Sequence, residues 1–100
     1  MEFVSEDDNR ISQRAFALGS ALFRISGRLG RRTFSEHLEN RALRLLETSL
    51  LGSDSDVRRE LGAINELTRL GAEVGLIHPR NRLTIEEEVR SLDAAVAERA

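Results

Sequence analysis

Apolar residues recur every three or four positions through most of the chain, from about residue 9 to residue 77. The clearest case is the first predicted helix, about Arg10 to Leu29, where spacings of four and three alternate. At about 100° per residue, such positions cluster within roughly 80° on one side of the helix. This is typical of the buried seam of a helical bundle. The seam consists of Ile11, Ala15, Leu18, Leu22, Ile25 and Leu29.

The same spacing predicts three further helices and no strands. The second opens at Thr33 and ends near Gly52, the third covers about Asp56 to Leu76, and the fourth opens at Thr84. Thr-Phe-Ser-Glu at 33–36 and Thr-Ile-Glu-Glu at 84–87 both fit the capping-box pattern that marks helix starts.

Four amphipathic helices with short connections predict an all-α, up-down-up-down antiparallel four-helix bundle. We expect one domain over residues 1–100, with residues 1–9 as a flexible acidic tail. The alternative is a helical hairpin that a partner chain completes. The predicted core residues beyond the first helix are Leu38, Ala42, Leu45, Leu61, Ile64, Leu67, Val89 and Leu92.

Composition narrows the chemistry that the chain supports. Apolar residues make up 40% and aromatic residues 4%, so the core is aliphatic. The chain has no Cys and no Lys, which excludes disulfides, thiol nucleophiles and Schiff-base lysines. No apolar run reaches the roughly 18–20 residues that span a bilayer, and the acidic start is unlike a signal peptide. We therefore expect a cytoplasmic protein without membrane association.

Arginine supplies all 15 basic residues, although the net charge is −2. Between Asp8 and Glu36 there are six arginines and no acid. Clustered arginines bind phosphates, but few aromatic residues are present for base stacking, so a solvated flank that pairs with acids of neighbouring helices is the favoured interpretation. For any anionic partner or nucleic acid, the predicted contacts are Arg24, Arg28, Arg31 and Arg32.

Two phenylalanines of the first helix lie away from its seam. Phe16 and Phe23 are about 120–140° from it, on the same flank as Gly19. A monomeric bundle would leave both rings partly exposed, and exposed apolar patches often mark interfaces. We predict that Phe16, Gly19 and Phe23 form a contact between identical copies. The alternative is that the buried side of this helix is wider than the six seam residues, in which case both rings belong to the core.

Residues 37–52, HLENRALRLLETSLLG, resemble the second-helix signature QLRRAA-x-SI-x-x-NIAEG of a bacterial four-helix-bundle family, with Leu38, Ala42, Leu45 and Gly52 in register. The family is named for proteins encoded in intervening sequences of ribosomal RNA genes. It also includes the accessory protein of diversity-generating retroelements. Residues 61–67, LGAINEL, are similar to the LGS-x-x-EL that opens the family's third helix.

The resemblance implies a bundle without catalytic activity that assembles into a ring-shaped, often pentameric, homo-oligomer. In the retroelement branch, the ring binds a reverse transcriptase and nucleic acid. The chain departs from the signature where the family's Asn and Glu are replaced by Thr48 and Leu51, and its serine by Arg44. The alternative is a nucleic-acid-associated accessory protein that uses the arginine flank.

We expect no catalytic residue, cofactor or metal. The chain has no Glu-x-x-His, the motif that di-iron bundles require, despite Glu36, His37 and Glu39. A small all-helical enzyme of chorismate-mutase type is a less favoured alternative, with Arg14 or Arg28 beside Glu47 or Glu66 for a dianionic substrate. A third possibility is an adaptor or antitoxin-like protein whose acidic N-terminal segment orders on a partner. The partner of such a protein is not indicated by the sequence.

Overall fold

The computed structural model describes the backbone of residues 6–99 and the side chains of residues 9–98. The helices are α1 (Glu6–Ser26), α2 (Arg32–Leu51), α3 (Asp54–Glu73) and α4 (Pro79–Arg99). Each helix packs against its two neighbours in the order α1, α2, α3, α4 and back to α1. The predicted all-α four-helix bundle is confirmed. No helix of the described part is long and apolar enough to cross a membrane.

The core is aliphatic and follows the predicted seams. Ile11, Ala15, Leu18 and Leu22 of α1 are almost fully buried, whereas Ile25 and Leu29 are partly buried. All the core residues predicted for the other helices are buried except Leu67, which is only partly so. Burial of this apolar surface is the main force that holds the bundle together. The remaining buried apolar residues are Val57, Ile77, Ile85 and Val96.

Four helix boundaries differ from the prediction by more than two residues, and the fourth, at the end of α3, is described below. α1 begins at Glu6 rather than Arg10 and ends at Ser26 rather than Leu29. α4 begins at Pro79, five residues before Thr84, because proline suits the first turn of a helix, where its missing N–H costs nothing. Of the predicted flexible tail, residues 1–5 lie outside the described residues.

Both predicted capping boxes are wrong, and a capping box that was not predicted is present at α3. Arg31 precedes α2 without a capping side chain, and Thr84 lies inside α4, where its hydroxyl donates to the Arg80 carbonyl. The capping box is at α3: Ser53 Oγ accepts from the Asp56 N–H, and Asp56 accepts from the Ser53 N–H, each at 3.2 Å. The bond from the Ser53 N–H to the carboxylate is the largest of the causes that lower the pKa of Asp56.

α3 ends at Glu73 rather than Leu76 because Gly75 adopts a left-handed conformation with φ of +80°. The Leu76 and Ile77 N–H groups then both donate to the Gly71 carbonyl, at 2.8 and 3.0 Å. This turn brings the Ile77 side chain back into the core.

A polar contact bridges each of the four pairs of neighbouring helices. The contacts between α2 and α3 and between α3 and α4 are ion pairs, at 3.2 and 2.9 Å. In order around the bundle, the bridges are Ser26–Glu39, Arg41–Glu60, Arg58–Asp93 and Arg14–Ser91. Arg58 donates to Asp93, which raises the pKa of Arg58.

Candidate functional site

An apolar groove runs between α1 and α2 on the outside of the bundle. Phe16 and Phe23 of α1 form one side, and Leu43 and Leu46 of α2 form the other. Its volume is about 220 Å³. Phe16 is 64% exposed, Phe23 41% and Leu43 56%, so large apolar side chains here face solvent. We call this feature the α1–α2 groove; Ala15, Gly19, Ser20 and Ala42 complete its lining.

Gly19 forms the floor of the groove and is buried against α2. A Cβ at Gly19 would lie 3.6 Å from the Ala42 carbonyl oxygen and 3.8 Å from the Ala42 Cβ, an ordinary contact distance. Gly19 therefore packs within the chain, and only Phe16 and Phe23 of the three predicted interface residues project outward. The alternative of a wider seam is wrong for these two rings, since neither is core. Their contact with a second copy stays a prediction.

A second hollow, of about 400 Å³, lies on the other side of α1, where it meets the start of α4. Arg24 of α1 and Arg28 of the turn after α1 line it together with His78, Asn81 and Thr84. We call it the basic pocket. Its apolar lining consists of Ala21, Ile25, Leu29, Leu76, Ile77 and Ile85.

The four arginines predicted to contact an anionic partner separate into two groups. Arg24 and Arg28 share the basic pocket and form no ion pair with any described residue. Arg31 lies in the connection before α2, and Arg32 pairs with Glu36 at 3.2 Å. The expected pairing of the flank with neighbouring acids is therefore absent, among the described residues, at Arg24 and Arg28.

Sequence reasoning missed the contribution of α4 to the basic pocket. His78 Nδ1 accepts from the Arg80 N–H, which holds the imidazole against the first turn of α4. Asn81 and Thr84 follow on the face towards α1. They are more than fifty residues from Arg24 in the chain, so only the packing of α4 on α1 brings them together. No local motif indicates it.

The residues considered for metal or enzyme chemistry are not brought together. Residues 9–98 contain no group of three or more His, Asp or Glu side chains placed to hold a metal ion. Glu47 and Glu66 line separate surface hollows, away from Arg28. Arg14 donates to Ser91 across the α1–α4 contact. The geometry therefore offers no support for the dianion site considered for a chorismate-mutase-like enzyme.

Comparisons with models of protein families, with curated proteins and with solved structures give no match to this chain. The resemblance to the ribosomal intervening-sequence family stays a prediction. The α1–α2 groove and the basic pocket are the two candidate functional surfaces.

Proposed function

We propose that this protein is a self-associating helical module and that the α1–α2 groove is its contact between identical copies. The observation that carries the proposal is the exposure of Phe16, Phe23 and Leu43 around one groove. Burying large aromatic and aliphatic side chains supplies most of the free energy of stable protein association. Scattered single apolar residues need no such explanation, but these share one surface.

The arrangement on α1 suits a second copy of the same chain. Phe16 and Phe23 are seven residues apart, two helical turns, and Gly19 and Ser20 lie midway between them. A two-fold axis through this midpoint would place Phe16 of one copy opposite Phe23 of the other. The low floor at Gly19 would admit the ring from the partner. A surface of this kind is self-complementary, as a two-fold contact requires.

A ring-shaped assembly, which the resemblance implies, needs a second and different face on each copy. Leu70 of α3 and Val74, the residue directly after α3, offer one, because both are exposed and lie four residues apart. We call this pair the α3 face. In a ring, the α1–α2 groove of one copy would contact this α3 face of the next. A dimer would use the groove alone.

The test is the mass in solution of the wild type and of the double variant Phe16→Glu, Phe23→Glu, by light scattering at low and high salt. Both positions are exposed, so we expect circular dichroism to show unchanged helicity. The wild type should be a salt-stable oligomer, and the variant should be a monomer because two charges would be buried in the contact.

The matched control is Leu70→Glu, Val74→Glu, which adds the same charge to another exposed apolar surface. An unchanged oligomer in this control supports a two-fold dimer, and dissociation supports a ring; both agree with the proposal. A wild type that stays monomeric at every concentration measured, or a groove variant of unchanged mass, would contradict it.

A further inference from the structure

We propose that the basic pocket binds a small organic phosphate, with Arg24 and Arg28 holding the phosphate group. This goes beyond the proposed self-association, because the pocket and the α1–α2 groove lie on different sides of α1. The inference rests on three observations: the arginine pair, the charge around it, and the mixed lining of the pocket.

Arg24 lies in the last turn of α1, and Arg28 lies in the turn that follows the helix, where its N–H donates to the Ile25 carbonyl. Two positive charges that line one pocket repel each other unless something compensates them. Elsewhere in the described part, eight arginines form ion pairs with carboxylates. Arg24 and Arg28 form none, and no carboxylate lines their pocket. A bound dianion would compensate both.

The chain segments around the pocket carry a positive formal charge. Residues 24–37 and 73–84 contain six arginines and two glutamates, a formal charge of +4, although the chain as a whole carries −2. A locally positive surface raises the concentration of anions near it and speeds their capture. The first turn of α4 places the positive end of its helix dipole beside the pocket, and the last turn of α1 places a negative end there, so the net positive charge comes from the arginines.

The donors in the pocket match a phosphate group. Guanidinium groups bind phosphate oxygens through paired, charge-assisted hydrogen bonds, and two of them suit a dianion. Asn81 offers an amide donor from the opposite wall. The Thr84 hydroxyl already donates to the Arg80 carbonyl, so its oxygen remains as an acceptor for a ligand hydroxyl.

The other wall indicates an organic ligand rather than a bare ion. Ile25, Leu29 and Leu76 lie beside the arginines and offer apolar contacts. The volume of about 400 Å³ is within the range of small-molecule sites. A phosphate monoester with a ring or short chain would place its charged end on Arg24 and Arg28 and its apolar part on this wall.

The experiment titrates the full chain with phenyl phosphate, inorganic phosphate and phenol, following backbone amide resonances by NMR. Phenyl phosphate should perturb residues 21–29 and 76–85 in a saturable way. Inorganic phosphate should bind the same residues more weakly, and phenol should not bind. Arg24→Gln, Arg28→Gln should weaken phenyl phosphate binding by at least about tenfold.

The matched control is Arg59→Gln, Arg69→Gln, which removes the same charge from exposed positions of α3 and should leave the affinity unchanged. Equal weakening in both double variants, or perturbations without saturation, would overturn the proposal. The proposal would also be overturned if the protein bound duplex DNA but not phenyl phosphate, and if this DNA binding also depended on Arg31 and Arg80. Phenyl phosphate binding retained in Phe16→Glu, Phe23→Glu would show that the pocket does not depend on self-association.

Discussion

At the scale of single residues, the glycines of α3 illustrate two opposite environments within one helix. A Cβ at Gly71 would lie 2.7 Å from both the Ile77 Cδ1 and the Phe34 Cζ atoms, so this glycine permits close packing. A Cβ at Gly62 would have nothing within 4 Å. Close approach of neighbouring side chains therefore accounts for the glycine at position 71 of α3 but not for the one at position 62.

We expect Gly62→Ala to stabilise the protein. Glycine inside a helix costs about 1 kcal/mol relative to alanine, and no contact at Gly62 offsets this cost. The free energy of unfolding from urea denaturation should rise by about 0.5–1 kcal/mol.

Gly71→Ala is the matched substitution in the same helix and should lower the free energy of unfolding. The added methyl group would displace Ile77, which is buried, and overpacking of this kind costs about 1–3 kcal/mol. Equal effects of the two substitutions would contradict the packing described for α3.

At the scale of helices, the hydrophobic seams predict which segments are helical, but local polar contacts decide where each helix begins. Among the two predicted capping boxes and the Ser53–Asp56 stretch, only Ser53–Asp56 forms a capping box. In the first turn of α2, the Ser35 hydroxyl donates to the Ser26 and Arg31 carbonyls, so the start of α2 depends on its packing against the end of α1. Sequence spacing carries no information about such a contact.

The α3 capping box predicts a pH-dependent contribution to stability. The Ser53 N–H donates to the Asp56 carboxylate, and this lowers its pKa in the folded state. The contribution is therefore present above the unfolded pKa of about 3.9 and is lost as the pH falls through the lower folded value. Asp56→Asn should reduce the melting temperature at neutral pH and change it little in strong acid.

The measurement is thermal unfolding of both proteins across this acidic range, with Glu47→Gln as the control. Glu47 is exposed and forms no ion pair with a described residue, so its loss should have little effect at any pH. A destabilisation by Asp56→Asn that persists undiminished in strong acid would argue against a role for the charged carboxylate.

At the scale of the whole molecule, the polar bridges between neighbouring helices restrict how four similar aliphatic seams can pack. Glu60 of α3 is only 8% exposed and accepts from Arg41 of α2 at 3.2 Å. Arg44 approaches the same carboxylate at 3.9 Å and is itself largely exposed. Arg41 is therefore the principal partner of a buried charge.

We expect Arg41→Met to lower the free energy of unfolding by about 1–3 kcal/mol, because it leaves Glu60 buried with only a distant partner. Arg44→Met is the control and should change it by about 0.5 kcal/mol or less, as exposed ion pairs contribute little. Chemical denaturation of the two variants checks this. An equal loss in both would show that the arginines share the carboxylate.

The two candidate surfaces differ in how far sequence predicts them. The exposure of Phe16 and Phe23 follows from their angle to the α1 seam, which is a property of one helix. The basic pocket depends on the alignment of α1 with α4, because Arg24 meets Asn81 and Thr84 only in the folded bundle. Only the first surface could therefore be anticipated from local spacing.

The alternating helix directions place the α1–α2 and α3–α4 connections at the same end of the bundle. Residues 24–37 and 73–84 lie at this end and carry a formal charge of +4. Because the net charge of the chain is −2, the remaining residues carry −6. A four-helix bundle about 30 Å long with positive charge gathered at one end has an uneven charge distribution along its axis. Near an anion, this unevenness produces a torque that turns the end with Arg24 and Arg28 towards the anion, although the net charge of −2 is repelled.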